Sequence, residues 1–70
     1  MQLYSVVSSS ILQIGYEPSS LTLRIVFRNG SAYDYHGVPI LLAQQFLSAP
    51  SKGRFYSKFI KGRFSPFRIQ

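Results

Sequence analysis

Residues 21–28 alternate without a break: Leu21, Leu23, Ile25 and Phe27 fall on one side and Thr22, Arg24, Val26 and Arg28 on the other. That is the period of a half-buried strand. Asn29-Gly30 follows at once, a tight-turn dipeptide, and Ser31–His36 returns with the same period. Upstream, Ile11–Tyr16 sets Leu12, Ile14 and Tyr16 on one side with Gln13 and Gly15 between them, and Glu17-Pro18-Ser19-Ser20 reads as the connecting turn. The pattern predicts a three-stranded antiparallel meander.

Two hairpin registers compete, and they differ in what Tyr33 and Tyr35 do, because a one-residue slip moves every side chain to the opposite face. A two-residue loop pairs Arg28 with Ser31, buries Asp34 beside Ile25, and leaves Tyr33 and Tyr35 exposed as stacking platforms for nucleic-acid bases. A three-residue loop with Gly30 left-handed in a bulge pairs Ile25 with Tyr33, Leu23 with Tyr35, and Arg24 with Asp34. Only the second keeps the apolar side chains on one face and the polar ones on the other, so it is the favoured register. The tyrosines are then core rings whose hydroxyls reach the rim.

Pro39 is placed to start a helix in which Leu42, Ala43, Phe46 and Leu47 recur at helical spacing up to Ser48, and Pro50 stops it. Ser51 can cap a second helix running to Lys61, with Gly62 at a left-handed terminus. At 100° per residue, Phe55, Tyr56, Phe59 and Ile60 share an arc of about 140°, and Arg54, Lys58 and Lys61 an arc of about 60° opposite. The expected architecture is α+β: a three-stranded antiparallel meander packed on one face by two C-terminal helices. Residues 1–70 form one domain, with 1–10 a lead-in segment and 63–70 a terminal arm.

A chain of 70 residues buries only about 60% of its unfolded surface, so there is room for one site at most. With 46% hydrophobic and 14% charged residues it is a packed globule, expected as a monomer or weak homo-oligomer. Cysteine is absent and there is a single histidine, which leaves no basis for a disulfide framework, a zinc site or any other metal site, and nothing suggests a cofactor. With one histidine and two acids, Glu17 and Asp34, catalysis is not expected; His36 reads as a solvated or hydrogen-bonded imidazole. No membrane association is expected, since no apolar run reaches the length of a span and residues 1–10 lack the pattern of a signal peptide; a cytoplasmic location is the expectation.

The charge is concentrated. Six of the eight cations, Lys52, Arg54, Lys58, Lys61, Arg63 and Arg68, lie in the last quarter of the chain with no acid among them, and the formal net charge is +6. RNA or another polyanion is therefore the expected partner, a protein with an acidic surface the alternative. Within this segment Ser51, Lys52, Gly53 and Arg54 form a candidate anion corner, because cations in the first turn oppose the helix dipole unless an anion sits there.

Ile14-Gly15-Tyr16, Asn29-Gly30, Tyr33-Asp34-Tyr35, Gly37-Val38-Pro39, Phe46-Leu47, Ala49-Pro50-Ser51-Lys52-Gly53 and Ile60 stand in an order that resembles the KTSC domain, a small bacterial and phage-borne module named for the C-terminus of some lysyl-tRNA synthetases. The resemblance spans about residues 6–68. It implies an RNA-associated binding module and carries over no aminoacylation, since the catalytic body of a synthetase is absent. Where relatives tend to end in tyrosine, this chain has Phe64 and Phe67.

Overall fold

The computed structural model describes all residues from Met1 to Gln70. The central hairpin takes the bulged register: β3 (Thr22–Phe27) pairs with β4 (Ala32–Tyr35) so that Ile25 faces Tyr33, Leu23 faces Tyr35 and Arg24 faces Asp34. The Gly30 N–H donates to the Phe27 carbonyl at 3.0 Å, the Phe27 N–H donates to the Ser31 carbonyl at 2.8 Å, and Gly30 has φ 93°, a left-handed conformation that costs glycine little. Asn29 closes the turn by accepting from the Ser31 N–H and hydroxyl. The agreement of period, turn and pairing is why this hairpin was readable.

The sheet has five strands, not three. Its order is β1 (Leu3–Ser5), β2 (Ile11–Glu17), β3, β4 and β5 (Pro66–Arg68), every neighbour antiparallel. The lead-in supplies β1 and the terminal arm supplies β5. Each is only three residues long, too short for a period to show, and forms because the free edge of β2 or β4 offers unpaired N–H and C=O groups. The helices accordingly lie between β4 and β5 rather than after the sheet.

A second correction concerns β2. Ile11 pairs with Phe27 but Gln13 with Val26, so Leu12 is an extra residue in a bulge. The bulge shifts the side-chain phase by one: Ile11 is fully buried, while Leu12, expected in the core, is 39% exposed. Leu21, read as the first residue of β3, instead lies in the turn with φ 52°.

Helix α1 (Ile40–Ser48) begins one residue after Pro39, which caps it with extended backbone. It ends at Ala49, whose ψ of 136° is the conformation imposed on a residue before proline. Helix α2 (Lys52–Phe55) is capped by Ser51, whose hydroxyl accepts from the Arg54 N–H at 3.3 Å. It passes directly into a π-helical turn (Tyr56–Ile60) closed by the Lys61 N–H on the Tyr56 carbonyl at 2.8 Å. The widened turn breaks the expected 100° spacing: Phe55 and Ile60, five apart, both pack on the core, and Phe59 turns 38% exposed.

Ile11, Ile14, Leu23, Ile25 and Tyr35 from the sheet meet Val38, Ala43, Phe46 and Ile60 in one buried cluster. Both helical segments thus cover one face of the sheet. Burying side chains of this size stabilises by about 1.5–3 kcal/mol each. The opposite face carries the row Leu3, Gly15, Arg24, Asp34 and Phe67, one residue from each strand. No helix is long and apolar enough to cross a membrane.

Candidate functional site

The cations of the C-terminal quarter do not form one cluster. Lys52, Arg54, Lys58 and Lys61 border three open clefts around the segment from Ser51 to Gly62, and Arg63 and Arg68 line none of them. The first cleft lies between the Ser8-Ser9-Ser10 loop and the start of α2, and Ser51, Lys52, Gly53, Arg54 and Ser57 form its other wall. The Ser8 hydroxyl accepts from the Ser10 and Ile11 N–H groups at 3.3 and 3.2 Å, while Arg28 donates from Nε to the Ser8 carbonyl at 2.7 Å. These bonds hold the serine loop against the hairpin, so that an ideal Cβ on Gly53 would stand 3.4 Å from the Ser10 hydroxyl oxygen. The serine loop, read from sequence as a polar approach to a strand, is a wall of the cleft. Its run of three hydroxyls was the only signal, and nothing local tied it to Gly53.

Within the anion corner the side chains part company. Lys52 turns back and donates to the Ala49 carbonyl at the C-terminus of α1. An ammonium there sits at the negative end of a helix dipole, which removes the conflict that the first turn of α2 would impose. Arg54 is exposed and makes no side-chain bond within the chain. Of the proposed corner, Ser51 caps, Lys52 anchors, Gly53 leaves space, and Arg54 is free.

The second cleft is shallow and more apolar, lined by Pro50, Phe55 and Phe59 with Arg54 and Lys58 beside them. Phe55 stacks on Phe46 with centroids 5.4 Å apart and leans on Phe59 at 4.7 Å; the Lys58 ammonium lies 5.5 Å from the Phe59 centroid. Arg63 donates from Nε to the Lys58 carbonyl at 3.2 Å, near the carbonyl end of the π turn.

The third cleft runs between the hairpin and the end of the π turn, lined by Phe27, Tyr33, Tyr35, Tyr56 and Phe64 with Lys61 and Asn29 among its polar residues. Tyr35 is 2% exposed, so its ring is core and cannot serve as a stacking platform; the alternative reading of that residue is overturned. Its hydroxyl lies 3.0 Å from that of Tyr56. Burial, then this bond, raise the Tyr35 hydroxyl above the ordinary tyrosine range. Tyr33 is half-buried, edge-on to Phe27 at 5.9 Å, with the Arg68 guanidinium 5.8 Å from its centroid. Phe64 packs on the core, whereas Phe67 on β5 is 63% exposed on the other face of the sheet.

His36 is exposed and lies 3.1 Å through Nδ1 from the Thr22 hydroxyl, the partner that the register predicts. The one ion pair in the protein joins Arg24 to Asp34.

Comparison with known proteins identifies relatives of the whole fold. The chain is 47% identical over 49 residues to a lysine–tRNA ligase of Nostoc sp., an alignment that covers 70% of the chain and 9% of that protein. A lysine–tRNA ligase of Trichormus variabilis is 43% identical over 56 residues, covering 80% of the chain and 10% of the ligase. The chain therefore spans about a tenth of the length of these curated relatives. A protein of Stutzerimonas stutzeri with no described function is 34% identical over 61 residues, with 87% of the chain and 86% of that protein covered. Among solved structures, a KTSC domain protein from Yersinia pestis superimposes with a TM-score of 0.94 at 48% identity, covering 99% of this chain and 97% of the other. The KTSC domain model matches residues 7–64, and with that span and those relatives the chain belongs to the KTSC domain family.

Proposed function

We propose that this protein is a non-catalytic module that binds RNA through the basic segment from Ser51 to Arg63 together with Arg68. One observation carries the reading: Arg24 alone of the eight cations has an acid within ion-pair distance, leaving the other seven outside any ion pair. Six of those seven come from residues 52–68. Of these, Arg54, Lys58, Lys61, Arg63 and Arg68 are exposed, and both acids of the chain lie elsewhere. Lone exposed cations gain by neutralising phosphates and releasing condensed counterions, a term that needs no sequence readout. The relatives named lysine–tRNA ligases have a tRNA as their partner by name, which supports RNA as the class of polyanion. The π turn that carries Lys58 also fits, since such turns recur at functional sites.

The test is salt dependence. Four to five phosphate contacts predict a log–log slope near −3 for a single strand, at about −0.7 per contact. A slope shallower than about −1 would remove RNA as the ligand. The second reading, docking on an acidic protein surface, is favoured by the exposed Phe59 between Arg54 and Lys58, an apolar spot ringed by cations. Loss of binding on Phe59→Ser with the RNA slope unchanged would select it.

A further inference from the structure

We infer that the aromatic groove at the C-terminal end of the π turn is a subsite for one unpaired keto base, uracil or guanine, of a single-stranded RNA. The inference rests on the RNA reading above and adds the specificity that the cations cannot provide. The groove holds about 400 Å³, within the range of small-molecule sites. Its rings come from Phe27, Tyr33, Tyr56 and Phe64, all half-buried, so each keeps surface against which a planar base can lie.

The polar lining is rich in donors. Asn29 commits its carbonyl oxygen to two bonds from Ser31 and keeps its amide N–H groups. Tyr35 and Tyr56 share one hydrogen bond between two hydroxyls, so of their two protons one remains to be donated. Lys61 adds three donors, and outside the lining the Arg68 guanidinium stands 5.8 Å from the Tyr33 centroid. A base edge that presents acceptors meets this set well: O4 of uracil, or O6 and N7 of guanine, which lysine recognises readily. Cytosine offers an amino group where uracil offers O4, and a donor facing donors leaves both unsatisfied.

The groove also adjoins the backbone-binding residues. Arg28, which follows Phe27 of the groove, donates its N–H to the Ser10 carbonyl of the serine loop at 2.9 Å, so the hairpin end links the base groove to the cleft at Ser51–Arg54. A strand laid along the π turn can place a base at one end and phosphates at the other.

The test measures binding of the RNA octamers U8, C8 and A8 at one fixed salt concentration by fluorescence anisotropy, to the protein and to Lys61→Gln, Tyr33→Ala and Arg54→Gln. U8 is expected to bind at least tenfold more tightly than C8 and A8. Lys61→Gln, an exposed change that leaves the fold intact, is expected to reduce that ratio to less than threefold. Tyr33→Ala, checked for folding by its melting temperature, should weaken U8 more than C8, and Arg54→Gln should weaken all three octamers equally. Equal affinity for U8 and C8, or a ratio that Lys61→Gln leaves unchanged, overturns the base subsite while leaving RNA binding standing. Tighter binding of A8 than of U8 likewise overturns it, because stacking without donor readout gives that order. Failure to bind any octamer overturns both readings.

Discussion

Arg24 and Asp34 face each other across the β3–β4 ladder as a bidentate pair, with Nε 2.7 Å from Oδ1 and Nη2 2.9 Å from Oδ2. Asp34 is buried, and the two hydrogen bonds from Arg24 hold its carboxyl below the usual range against the opposing effect of desolvation. A depressed carboxylate pKa contributes stability that is fully present above the unfolded value of about 3.9 and is lost as pH falls through the folded one. Denaturation from pH 7 to pH 2 should therefore show Asp34→Asn less stable than the parent at neutral pH, with the gap closing in acid. Arg24→Ala, which strands a buried carboxylate, should cost about 1–3 kcal/mol at pH 7. A gap that stays constant with pH would mean that the pair carries no linkage.

Gly15 is a position where no side chain fits. A Cβ there would stand 2.7 Å from the Leu3 side chain and 2.8 Å from the Gln2 carbonyl oxygen, because the chain entering β1 passes close to its ladder partner Gly15. The obstructing oxygen is backbone and cannot swing aside. Gly15→Ala should cost about 1–3 kcal/mol, as overpacking does. It should also raise hydrogen exchange of the Leu3–Ser5 amides, since β1 is the element displaced. An unchanged melting temperature would contradict the close approach.

The two tyrosines of the Tyr33-Asp34-Tyr35 triplet should separate in stability. Tyr35→Ala removes a buried ring and should cost about 3–5 kcal/mol, while Tyr33→Ala, half-buried at the groove, should cost about 1–2 kcal/mol. Tyr35→Phe keeps the ring and loses the bond to Tyr56, for about 1 kcal/mol. Because the Tyr35 hydroxyl is raised, its stabilising effect is present below the unfolded value of about 10 and is lost as pH rises beyond it. Chemical denaturation between pH 8 and 12 should show the parent losing stability that Tyr35→Phe does not lose.

Lys52 and Arg54, two positions apart, should act on different properties. Lys52→Met removes the donor to the Ala49 carbonyl and should lower stability by about 1 kcal/mol with the salt slope of RNA binding unchanged. Arg54→Gln should leave stability within about 0.5 kcal/mol and make the slope shallower by about 0.7. Gly53→Ala, whose Cβ would meet the Ser10 hydroxyl at 3.4 Å and the Ser8 hydroxyl at 4.0 Å, should be tolerated or stabilising by up to about 1 kcal/mol. Thermal melts and salt titrations of the three variants separate the roles.

What the sequence determined alone was set by forces acting within a few residues. The alternation of Leu23–Phe27 with Asn29-Gly30 selected the bulged register, and Ser51, Pro50 and Gly62 marked a cap, a stop and a left-handed terminus that the structure reproduces. The concentration of Lys52–Arg68 cations was equally plain. Tertiary structure decided the rest, because it depends on surfaces that meet across long separations. The Leu12 bulge and the π turn at Tyr56–Ile60 each insert one residue into a regular period, and neither leaves a local mark. Strands β1 and β5 exist only because open ladder edges accept them. Lys52 reaches Ala49, and Phe27, Tyr56 and Phe64 converge with Lys61, through packing of the helices on the sheet. The candidate site was thus legible as a charge but not as a shape: charge is a sum over residues, whereas a groove is a relation between elements that only the packed core brings together.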